Sequence, residues 1–379
     1  MRGDSQFIKL VALGLLCGCT ESHATRSERG EPEAGALSED ATETASPGRA
    51  GQPAAGQAAA GAGGSWLTRL LAARAAGGRV AEVPTFESDK AKTTVSDTQV
   101  KFEMDLLVPR GAELHRCVYA QFPSDRGEIA VQRVESHYTP GSHHLLAYRS
   151  ELTAIPEGKE GLLDCYESGA SAQQRGSYYE AQQPEEKREL PAGVAHIFQP
   201  GEVLVLEAHY INATEKDITA HVEMITHTTN RADIKQEAGT LFYNNVNIMV
   251  PPHSTAHTEM SCTLPQDIQL ALLWSHMHAR GVKFVAETDD PEAAKVLGTL
   301  YEEKEWAEPR PRVYPSDPPV VLHAGTRIRF ACDFQNDTDK TFRFGQSAEA
   351  NEMCILHGMY WPRMPRAAEQ CLGGMAARR

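Results

Sequence analysis

Apolar and polar residues alternate from position 99 to 107, the period of a strand with one face buried. Short β-type runs recur at 201–210 (GEVLVLEAHY), 218–226, 268–274, 282–287 and 326–330. Proline and glycine punctuate them at Val108-Pro109-Arg110-Gly111, Gln199-Pro200-Gly201, Pro251-Pro252 and Ala324-Gly325. Many short strands set off by such turns predict an all-β fold of antiparallel sandwiches. Roughly 280 residues follow Val95, enough for two domains, and the boundaries are drawn at 95–230 and 231–375. The Pro-rich stretch 289–319 reads as a long surface loop.

The first residues have a different texture. Arg2 and Lys9 precede a short apolar stretch, the charge and length of an export signal over 1–19. Its end, Leu16-Cys17-Gly18-Cys19, resembles the bacterial lipobox, which implies a lipid on Cys19 as the mature N-terminus; an ordinary signal cleaved nearby is the alternative. Between 20 and 64 Leu37 is the sole large apolar residue, so this stretch cannot bury a core and 20–94 reads as a tether. Within it, 66–76 (WLTRLLAARAA) has the spacing of a short amphipathic helix, with membrane contact as a second reading. No run of 18 apolar residues occurs, which excludes a membrane-spanning helix and leaves a lipid anchor as the membrane attachment. The formal charge of −14 argues against nonspecific binding to nucleic acid.

Beyond the signal six cysteines remain, Cys117, Cys165, Cys262, Cys332, Cys354 and Cys371. An even number in an exported chain favours disulfides, in any of fifteen connectivities, and without a CxxC pair a metal role for them is weak.

Fifteen histidines carry the candidate chemistry. His276 and His278 flank Met277 directly after an apolar run; in a strand residues i and i+2 face one side, so both imidazoles can reach one metal. Imidazole suits copper or zinc, and a thioether completing the set selects copper. Adjacent His143 and His144 face opposite sides of a regular strand. They share a metal only if the backbone bends, which Gly141-Ser142 permits, or if the rings bind through different nitrogens. His209, near the end of the run at 201–210, is the third candidate. Taken singly, each of these also reads as a solvated or hydrogen-bonded strand histidine.

Taken in order, Ser142-His143-His144-Leu145-Leu146, Leu206-Glu207-Ala208-His209-Tyr210, His276-Met277-His278 and Asn351-Glu352-Met353-Cys354 resemble the type II copper, ascorbate-dependent monooxygenases, the family of peptidylglycine α-hydroxylating monooxygenase and dopamine β-monooxygenase. The resemblance spans roughly 95–371 and implies two jelly-roll-like antiparallel β-sandwiches. It implies an electron-storing copper on His143, His144 and His209, and a second copper on His276, His278 and Met353, where oxygen binds and a substrate C–H bond is broken. The co-substrates are O2 and ascorbate or another small reductant. The implied disulfides are Cys117 with Cys165, Cys262 with Cys371, and Cys332 with Cys354.

Glu207, Trp274 and His357 are the candidate pocket residues. In peptide-amidating members an arginine and a tyrosine stand where this chain has Trp274 and His357, so a carboxylate substrate loses its partner. An uncharged or amine-bearing aromatic substrate is the expectation, unless Trp274 merely packs under its strand. A non-catalytic copper-binding or copper-delivery protein is the competing reading, and a carbohydrate-binding sandwich with incidental histidines is the third.

Overall fold

On strand Gln99–Val108 every second residue, Val100, Phe102, Met104, Leu106 and Val108, is buried, while the residues between them are half-exposed. That strand sits in a seven-stranded sheet whose other long members are Ile129–Tyr138 and Ile218–Thr229. Facing it is a five-stranded sheet ordered Leu163–Asp164, Glu113–Gln121, Val203–Ile211, Ser142–Arg149, Gly176–Ala181. Phe122 bridges the layers, stacked on Phe198 at 4.3 Å and edge-on to Phe102 at 5.7 Å. Ser136 and Tyr179 share a hydrogen bond across the same interior.

A second sandwich follows. Its six-stranded sheet is built on Gly239–Asn244, Cys354–Trp361 and Ile268–Met277, and its four-stranded sheet on Ser254–Thr263, Arg327–Asn336 and Gly281–Thr288. Two disulfides, Cys262–Cys371 and Cys332–Cys354, tie one layer to the other, and Cys117–Cys165 staples the first sandwich. These are the pairings the resemblance implies.

The computed structural model describes residues 90–373. The export signal, Cys19, the helix at 66–76 and the tether as far as residue 89 lie outside them. Three expectations need correction. Strand Lys90–Val95 begins inside the stretch assigned to the tether and pairs antiparallel with Gln99–Val108, its alternation masked by exposure on an edge. The first sandwich runs past 230, because Gln236–Glu237 pairs with Val194–Phe198; this pairing is parallel, as is that of Gly239–Asn244 with Gln370–Leu372. The stretch 289–319 is not a surface loop: it holds a helix, Pro291–Leu297, and buries Leu300, Tyr301, Trp306 and Tyr314. Asp290 caps that helix by accepting from the backbone N–H groups of Glu292 and Ala293.

Strands Val203–Ile211 and Cys354–Trp361 are buried at every residue. Such strands are covered on both faces. One face of each belongs to its own core, and the other looks across to the opposite sandwich.

Candidate metal centre

Along Val203–Ile211 the residues Leu204, Leu206, Ala208 and Tyr210 fill the first core, so Glu207 and His209 point to the opposite face. Ser142–Arg149 pairs alongside, with His209 opposite His144 and Tyr210 opposite Ser142. His143 is therefore the extra residue of a β-bulge, which turns its ring to the same side as that of His144. Gly141, at φ +116°, supplies the bend just ahead of it.

In the second sandwich His276 lies on Ile268–Met277, and His278 follows directly after the strand. The two sets of histidines meet. His143 is 5.1 Å from His276 and 5.4 Å from His278 by ring centroids, and 5.1 Å from His209. Candidate ligand atoms of His143, His144 and His209 lie within 4.8 Å of one another, as do those of His143, His276 and His278.

All five rings are buried. Both ring nitrogens of His143, Nδ1 of His144 and Nε2 of His278 lack a hydrogen-bond partner. An unpartnered buried polar atom costs about 1–3 kcal/mol, and an ion is the partner that five converging imidazoles best accommodate. Burial, and then the neighbouring imidazoles, pushes His143, His144 and His278 well below the usual histidine range. They are neutral and their lone pairs are free for a metal.

The outer nitrogens are held. His276 Nδ1 donates to Gln182 Oε1 at 3.0 Å and lies 3.2 Å from Glu180 Oε1, both groups of the first sandwich. His278 Nδ1 donates to the carbonyl of Asn351 at 3.1 Å. His209 Nε2 donates to Glu113 Oε1 at 2.9 Å, and Glu113 also accepts from Ser347 Oγ and the Ala348 N–H of the second sandwich. Such partners fix ring orientation and tautomer around a metal. Burial opposes ionisation of Glu180, but His357 and His276 outweigh it and hold its carboxyl well below the usual range.

Met353 lines a cavity of about 250 Å³ that His144 and His276 also line. The cavity lies between the five- and six-stranded sheets, and the chemistry of its donor set, imidazoles and one thioether, fits copper. The neighbouring Glu352 is pushed up to about 8 by burial, although Arg280 bonds to it.

The pocket expectations are placed differently. Trp274 does not line the cavity: it is buried, stacked on His357 at 5.2 Å, covered by the Arg188 guanidinium, and donates Nε1–H to Glu180. Its aromatic face is thus used up in packing, the alternative weighed for it above. Glu207 does not line the cavity: it pairs with His115 at 2.7 Å and accepts from Gln174, which does. His357 does line the cavity. Sequence reasoning missed Glu113, Glu180 and Gln182. Glu113 and His115 stand two apart on one strand, a usable signal, whereas Glu180 follows two tyrosines in a stretch without chemical spacing.

Residues 236–376 match the family model described as copper type II ascorbate-dependent monooxygenase, C-terminal domain. No curated protein matches the chain. Among solved structures it is similar to PNGase F, a glycosylasparaginase from Flavobacterium meningosepticum, at 11% identity and a TM-score of 0.32, over 70% of this chain and 96% of that one. It is also similar to the Cowpea mosaic virus top component, naturally occurring empty particles, at 7% identity and a TM-score of 0.30, over 75% and 92%. Likenesses this distant carry no argument. The family match supports a copper- and ascorbate-dependent monooxygenase function in general terms.

Proposed function

We propose that the chain is a monooxygenase that uses copper, O2 and ascorbate or a similar one-electron reductant to hydroxylate a C–H bond of a small organic substrate. The observation that carries this reading is the convergence of five buried histidines, with unpartnered nitrogens on His143, His144 and His278, beside a cavity that Met353 lines, in a chain whose second sandwich matches the monooxygenase family. Substrate-H, O2, two electrons and two protons would give substrate-OH and water.

In this reading His143, His144 and His209 hold one copper, and His276, His278 and Met353 hold a second. Bound copper would supply the one-electron chemistry that oxygen activation requires. The protein's part is to keep the imidazoles neutral by burial and to orient them through Glu113, Glu180, Gln182 and the Asn351 carbonyl. A soft thioether at Met353 would favour the reduced ion. The export signal and Cys19 lipidation belong to this proposal as the route to the cell envelope; Cys19→Ser is expected to release the protein from membranes.

The test is oxygen uptake by the copper-loaded chain with reductant and a panel of small C–H substrates, with product followed by mass spectrometry. Hydroxylated product in step with oxygen consumed is the expected result. Tight copper binding without coupled product would favour the copper-delivery reading instead.

A further inference from the structure

The cavity beside Met353 has a chemical character of its own. Its floor is laid by register: Asn244 pairs with Ile355, which pairs with His276, and in the next row Phe242 pairs with His357. Leu146 and Ser177 of the first sandwich also line it. Three polar atoms in this lining are buried without a hydrogen-bond partner: Ser177 Oγ, Asn244 Oδ1 and His357 Nδ1. Buried polar atoms are ordinarily satisfied, so three orphans around one space mark a place where a ligand's hydrogen-bonding groups sit.

Charge is absent from that place in a specific sense. No lysine or arginine of the described residues lines the cavity, so a carboxylate or phosphate has no counter-ion there. The single acid on its wall, Glu180, is already engaged: Oε1 by His276, and Oε2 by Trp274 Nε1–H and His357 Nε2. An ammonium group would have to displace those partners. Phe242, Ile355 and Leu146 offer apolar surface for the remainder of the molecule.

We propose that this cavity binds an uncharged organic molecule that presents amide or hydroxyl groups to Ser177, Asn244 and His357 and an apolar body to Phe242 and Ile355. This deepens the monooxygenase reading by naming the class of its substrate, and it withdraws the amine-bearing option.

Three probes with one skeleton test it: 3-phenylpropionamide, 3-phenylpropionate and 3-phenylpropylamine, titrated by calorimetry into the full-length, metal-free protein. The amide is expected to bind at least tenfold tighter than either charged analogue. Ser177→Ala and Asn244→Leu should each weaken the amide about five- to tenfold, the loss of one net hydrogen bond, without weakening propylbenzene, which offers neither residue a hydrogen bond. Should Asn244→Leu fail to fold, Ser177→Ala, the smaller change, still decides. Equal or tighter binding of a charged probe, no binding of any probe, or amide affinity indifferent to Ser177→Ala would overturn the proposal. Because copper is absent from the titration, these outcomes are independent of copper loading, which metal analysis of His276→Ala tests separately.

Discussion

His143 and His276 come from different sandwiches, yet their rings lie 5.1 Å apart in one buried chamber. The two ligand sets are neighbours, and His143 is within reach of both. A substitution at this ring should therefore affect more than its own set. His143→Ala is expected to lower copper content at both sets, whereas His209→Ala and His276→Ala should each chiefly empty one. Metal analysis after reconstitution checks this; two coppers retained by His143→Ala would show that His143 ligates neither.

Met353→Leu should spare Cu(II) binding and weaken Cu(I) binding, because only the soft ion gains much from a thioether. Competition titrations in both oxidation states read the difference. Equal losses would count against Met353 as a ligand.

Glu180 reaches across from the first sandwich to His276, with Gln182 beside it. Losing an outer partner of a ligating histidine commonly lowers metal affinity by about 10–100-fold. Glu180→Gln is expected to fall in the lower part of that range, since Gln182 still accepts from the ring. The copper spectrum of the His276 set should shift while that of the His209 set stays as it was. An unchanged spectrum and affinity would leave Glu180 with a packing role.

Cys332–Cys354 closes a span of 22 residues and anchors the position next to Met353. A loop of that size corresponds to about 3 kcal/mol in the chain-entropy account. Replacing both cysteines with alanine should cost stability of that order in urea unfolding, and Cu(I) affinity should fall with it. Full stability in the double variant would contradict the first half of this expectation, and full affinity the second.

His196 provides a pH handle away from the metal centre. Burial, and then Arg149, pushes it down to about 3. The folded chain keeps this ring neutral where the unfolded chain protonates it, so its contribution is intact above pH 6.5 and is lost as pH falls towards 3, by roughly 1.4 kcal/mol per unit. His196→Phe should flatten the acid limb of stability by one proton relative to the parent, measured by urea unfolding from pH 6.5 to 4.5. A difference between the two proteins that does not change with pH would remove His196 from the account.

Much of this was legible before any coordinates. Alternation marked Gln99–Val108, because a period of two is a local property of a strand, and the rings of His276 and His278 lie 5.3 Å apart although His278 falls just past its strand's end. What was hidden is non-local. Glu180 meets His276 across 96 positions of chain, a juxtaposition that no local pattern encodes. Trp306 and Tyr314 sit in a Pro-rich stretch whose punctuation says loop, and their burial follows from docking on a neighbour. Trp274 misled for a related reason: its strand position was clear, but its ring is claimed by Glu180, His357 and Arg188 from elsewhere in the chain.

The extra residue at His143 makes the centre sensitive to chain length as well as to composition. A ladder with one residue too many on one strand is regularised by removing that residue, and a one-place slip sends every side chain beyond it to the other face. Deleting Ser142 would thus leave every imidazole in the sequence and still rotate one of the two adjacent rings into the first core, against Leu145 and Tyr210. Insertions and deletions between Gly141 and His144 are therefore expected to disable the centre even where every ligating residue is kept, so the gap pattern here is as informative as residue identity.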